Sequence, residues 1–136
     1  MKELILSINN ETDILFREEL SDILGQLYND SIEEDPTGSG IDIGSLQSCV
    51  NFFRAYPKYK RPMISLTPNN DIYVSWRGPE GQLFSLDFIE GLSVGFVLFI
   101  KINSDDLLRI SGRCKAMTYE LMNGLEYFLN RDWMLQ

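Results

Sequence analysis

The stretch "SLTPNNDIYVSWRGPEGQLFSLDFIEG", residues 65–91, alternates apolar and polar side chains twice and is broken three times by turn residues. Strict alternation marks strands with one buried face, because successive side chains of an extended chain point to opposite sides. Ile72, Val74 and Trp76 share one face against Tyr73 and Ser75, and Phe84, Leu86 and Phe88 oppose Ser85 and Asp87. Ile64 and Leu66 lead into the turn "TPNND", and "RGPEGQ" makes a second turn. Glu90-Gly91 makes a third, before Val94, Phe96, Leu98 and Ile100 alternate with Ser93, Gly95, Val97 and Phe99. Short links between consecutive strands predict an antiparallel meander of four strands, or five if Leu107 to Ile110 adds a short one.

The flanks carry a different period. Phe16, Leu20, Ile23, Leu24, Leu27 and Tyr28 recur at helical spacing and predict a helix over 11–29, capped by Thr12 or Asn10. Ahead of it, Leu4, Leu6 and Ile8 alternate with Ile5, Ser7 and Asn9, which reads as a short edge strand, the alternative being an extension of that helix. Residues 30–44, "DSIEEDPTGSGIDIG", have no period and read as a mobile acidic loop. Ser45 then caps a second helix with the stripe Leu46, Cys49, Val50 and Phe53, which Pro57 ends. A third helix is expected from Met117, with Leu121, Leu125 and Phe128 on its face. Helices, strands, then a helix imply a single α+β domain over 1–136, with the helices mainly on one side of the sheet. Trp133, Met134 and Leu135 are expected to dock on the same domain, the alternative being a dimer contact.

Composition removes whole classes of chemistry. The chain has no histidine, so serine–histidine and cysteine–histidine catalysis are excluded, and two separated cysteines cannot build a four-ligand zinc site. Neither a metal nor a cofactor is expected. "DPTGSGIDIG" has glycines but lacks the lysine of a phosphate loop, and the acids around it do not follow a calcium-loop order. A net charge of −8 disfavours direct nucleic-acid contact unless a local basic patch exists, and Lys58, Lys60 and Arg61 form the only sequence cluster. Two cysteines, an N-terminus unlike a signal peptide, and a longest apolar run of Leu92 to Ile100 point to a cytoplasmic protein off the membrane, monomeric or homodimeric.

The run "FFRAYPKYKRPMISLTPNNDIYVSWRGPEGQLFSLDF" resembles a pattern of small bacterial proteins from mobile elements, phage, toxin–antitoxin and defence loci. In that pattern a helix ends at a proline, a second proline opens a strand, and a hairpin leads to a strand closing in tryptophan. The resemblance spans about residues 52–100 and implies no catalytic residues. The chain departs from it by placing asparagine and aspartate where the turn usually has glycine.

Together these features predict a non-catalytic interaction or inhibitor protein whose acidic surface binds another protein, for which a basic, nucleic-acid-handling one is the natural fit. Glu33, Glu34, Asp35, Asp105, Asp106 and Arg77 are the expected contact residues. Two alternatives stand beside it: a carboxylate- or Mg²⁺-dependent hydrolase using Asp87 with Glu90 or Asp71, and a ligand-binding module with a pocket between sheet and helices. Trp76 is expected in the core rather than at an interface.

Overall fold

The computed structural model describes residues 1–90, 93–115, 124–125 and 131–135. Three helices, α1 (Lys2–Ser7), α2 (Arg17–Glu34) and α3 (Ile43–Ala55), precede five strands, β1 (Met63–Leu66), β2 (Ile72–Arg77), β3 (Leu83–Ile89), β4 (Ser93–Lys101) and β5 (Leu107–Cys114). The strands pair antiparallel in chain order, so the alternation does encode an α+β meander, with five strands. Among the described residues no helix is long and apolar enough to cross a membrane.

Register decides what each face holds. Val74 faces Ile64 on one side and Leu86 on the other, and Trp76 opposes Phe84, so the inner face is continuous across β1, β2 and β3. Phe52 and Phe53 of α3 lie against Trp76 in the same aromatic cluster, with Tyr59 beside them. Trp76 is 2% exposed and its Nε1 donates to the Lys60 carbonyl at 2.8 Å, which satisfies the one polar atom of that side chain. Met134 is fully buried, its carbonyl accepts from the Lys60 N–H at 2.8 Å, and Leu135 bridges to Tyr59. The terminal apolar residues therefore dock within the chain.

The β1–β2 hairpin explains the asparagine that stands where a glycine was expected. Asn70 takes φ 64°, a left-handed conformation that asparagine adopts more readily than other side-chain-bearing residues. Thr67 Oγ1 accepts from the N–H groups of Asn69 and Asp71, and the Thr67 N–H donates to the Asp71 carbonyl at 2.8 Å.

Several boundaries differ from the sequence reading. The expected edge strand at Leu4, Leu6 and Ile8 is the helix α1 followed by a 3-10 turn, because Ile5 and Ile8, three apart, are the buried pair while Leu4 and Leu6 are exposed. The Ser21 hydroxyl donates to the Ile5 carbonyl at 2.9 Å and pins α1 to α2. Helix α2 starts at Arg17 rather than Glu11, with no side-chain cap: Ile14 and Phe16 are buried by an irregular segment. It runs on to Glu34 and stops where Asp35, which precedes Pro36, is extended. The acidic stretch 30–34 is thus helical, and only 35–42 forms the connection.

Asp42, not Ser45, caps α3: its carboxylate accepts from the Ser45 N–H at 2.9 Å. Ser45 is fully buried and its hydroxyl accepts from the Ile72 N–H at 2.7 Å, joining helix to sheet. Strand β5 extends past Ile110 to Cys114, and Gly112 lets the Phe96 ring lie against its backbone, where a Cβ would come within 2.9 Å. Gly124 and Leu125 are helical and Leu125 is buried; Met117, Leu121 and Phe128, the rest of the expected third helix face, lie outside the described residues.

Candidate interaction surface

Opposite the core, the sheet has a second face. Its side chains fall in rows across the strands, of which the three central ones are Ser65, Tyr73, Asp87, Gly95 and Arg113; Met63, Ser75, Ser85, Val97 and Ser111; and Arg77, Leu83, Phe99 and Arg109, with Lys101 and Leu107 beyond the last. Met63, Tyr73, Leu83, Val97 and Phe99 all stand outside the hydrophobic core cluster that takes in the inner face and the helices. Met63 is 73% exposed, whereas Ser85, a short side chain in the middle row, is 2% exposed among its taller neighbours. The middle of this face is therefore a floor of small hydroxyls between aromatic and guanidinium side chains.

Charge separates the two layers. Residues 1–56 hold three cations and eleven carboxylates, so they account for the whole net charge of −8, while residues 57–136 hold nine of each. Glu18, Glu19, Asp22, Asp30, Glu33 and Glu34 are exposed along α2, which at 18 residues is about 27 Å long. The six residues expected to contact a partner do not form one patch. Glu33, Glu34 and Asp35 lie at the end of the sheet where Ser31 and Asp42 hydrogen-bond to Asn70. Arg77, Asp105 and Asp106 lie at the other end, where Lys101 pairs with Glu80. The length of β2, roughly 20 Å, separates them.

Two of the carboxylates proposed for hydrolysis are unusual. Asp71 is 4% exposed; burial, then the negative charges of Asp87 and Asp42, push its carboxyl above the usual range, while the Glu90 backbone N–H pulls it back. Asp87 is also raised by burial, against the attraction of Arg113. Both keep a buried Oδ1 with no hydrogen-bond partner among the described residues. Asp71 thus feels both Asp87 and Glu90, yet among the described residues no three acidic or thiol groups are arranged to hold a metal ion. Asp71 is also too buried to reach a substrate. Cys49 is fully buried in an apolar surround that pushes its thiol far above the usual range, so it cannot serve as a nucleophile.

Surface depressions on the helical side are shallow. One lies between α1 and α2, lined by Lys2, Ile5, Ser21 and Tyr28, and another lies between α1 and α3, lined by Ile8, Leu46 and Arg54. Both sit between helices. Register, which is not legible in the local alternation, is what groups Arg77, Arg109 and Arg113 on one face. No protein-family model, no curated protein and no solved structure matches the chain.

Proposed function

We propose that the chain is a non-catalytic interaction protein of the inhibitor type, of the bacterial or phage mobile-element class that its sequence resembles, and that its acidic helical layer engages a basic partner protein. The observation that carries this reading is the confinement of all the net charge to residues 1–56, with a run of exposed carboxylates along α2. Such a layer steers a cationic partner at long range, and the attraction is screened by salt. The absence of histidine from the chain and the burial of Cys49 and Asp71 support a role in binding rather than catalysis.

The test is retention of partners by the tagged protein from host or phage-infected cells at low and high salt, with mass spectrometry of what is held. One basic protein released at high salt is the expected result. Its association rate should fall with ionic strength and fall again on charge reversal of Glu33, Glu34 and Asp35. An association rate indifferent to salt would overturn the electrostatic reading.

A further inference from the structure

The outer face of the sheet is chemically the reverse of the helical layer. On its strands it carries Arg77, Arg109, Arg113 and Lys101 against one carboxylate, Asp87, and the Lys101 ammonium is already paired with Glu80 in the β2–β3 turn. With strands about 4.8 Å apart and about 3.3 Å per residue, Arg77 and Arg109 stand roughly 14 Å apart across the sheet, and Arg109 and Arg113 roughly 13 Å apart along β5. Leu83 and Phe99 fill the row between Arg77 and Arg109, and Val97 lies in the next row. Aromatic side chains, methionine and arginine are the types enriched at protein interfaces, where aspartate and glutamate are depleted.

We propose that this face is a second docking surface, and that it takes a segment of another protein presenting apolar side chains between carboxylates. The carboxylates pair with Arg77, Arg109 and Arg113, whose planar forks donate to them in bidentate fashion. The apolar side chains cover Leu83, Val97 and Phe99. The carboxylates of the acidic layer are exposed on the helices, and the arginines on the opposite face of the sheet. The net charge of −8 opposes a phosphate backbone, and Leu83 and Val97 offer bases no stacking surface beside Tyr73 and Phe99, so the face favours a protein segment over single-stranded nucleic acid. An acidic helical layer and an arginine-bearing sheet face let the molecule hold two partners of opposite character at once.

The test is selection of random displayed peptides on the whole protein, followed by binding of the selected peptides to R109E/R113E. Both arginines are exposed on an edge strand, so the double variant should stay folded, with a small loss of melting temperature from the attraction between Arg113 and Asp87 that it removes. The expected result is peptides in which Asp or Glu alternate with large apolar residues, bound at least about tenfold more weakly by the variant. Selected peptides without acidic bias, no selection at all, or equal binding by the variant would overturn the proposal. Binding of a labelled oligothymidylate that is lost in R109E/R113E would assign the face to nucleic acid instead. A doubling of mass in light scattering that the same variant abolishes would assign it to a second copy.

Discussion

The two faces of the sheet are built from the same strands and alternate residue by residue, yet they do opposite work. On the inner side Val74, Trp76, Phe84, Leu86 and Phe88 are sealed by the helices, and their worth is measured in stability. On the outer side Tyr73, Leu83, Val97 and Phe99 stand apart from that core among arginines and serines, and their worth should be measured in binding. One strand can serve both ends because a period of two separates them completely: a change on one face leaves the other untouched.

A matched pair of substitutions separates the two faces. Trp76→Ala should cost about 3–5 kcal/mol in denaturant unfolding, since it empties a filled core site and strands the Lys60 carbonyl. Phe99→Ala, an aromatic on the other face, should cost under about 1 kcal/mol. Equal losses would mean that the outer face is part of the core after all. Ser45→Ala tests the seam between layers; leaving the buried Ile72 N–H without its acceptor should cost about 1–3 kcal/mol.

A smaller effect is expected at the helical surface, where Arg54 Nε donates to Glu11 at 2.9 Å in a partly exposed pair. A double-mutant cycle on Glu11 and Arg54 should give roughly 0.2–1 kcal/mol. Arg54 holds the Glu11 carboxyl below its usual value, so this contribution is present at neutral pH and is lost as pH falls through that lowered value.

Asp71 should behave in the opposite sense. Its carboxyl is raised in the fold, so the ionised form costs stability at neutral pH. The cost is recovered as pH falls from the raised value towards the ordinary carboxylate value of about 3.9. Asp71→Asn should therefore give a slight rise in melting temperature at neutral pH, and the gain should shrink on acidification. A gain that grows as pH falls would contradict the sign of the shift.

The α+β class, the order of the elements and the two faces of β2, β3 and β4 were legible because alternation and helical spacing are local properties of the chain. The start of α2 was not, since Thr12 and Asn10 look like caps. The segment instead follows the burial of Ile8, Ile14 and Phe16, which only the packed helices can reward. The acidic loop was misjudged at its beginning for a similar reason. Asp30 to Glu34 have no apolar period strong enough to show, yet they continue a helix already paid for by Leu20 and Leu24.

On β2, β3 and β4 the chain alone sets the side of the sheet on which each residue falls, because a pleat assigns faces by parity. Which residues of different strands come together on that side follows from the fold alone. Arg77, Arg109 and Arg113 are far apart in the chain and show no cluster in it. They meet on one surface because hairpin geometry sets the register, and register is a relation between strands that no single strand contains.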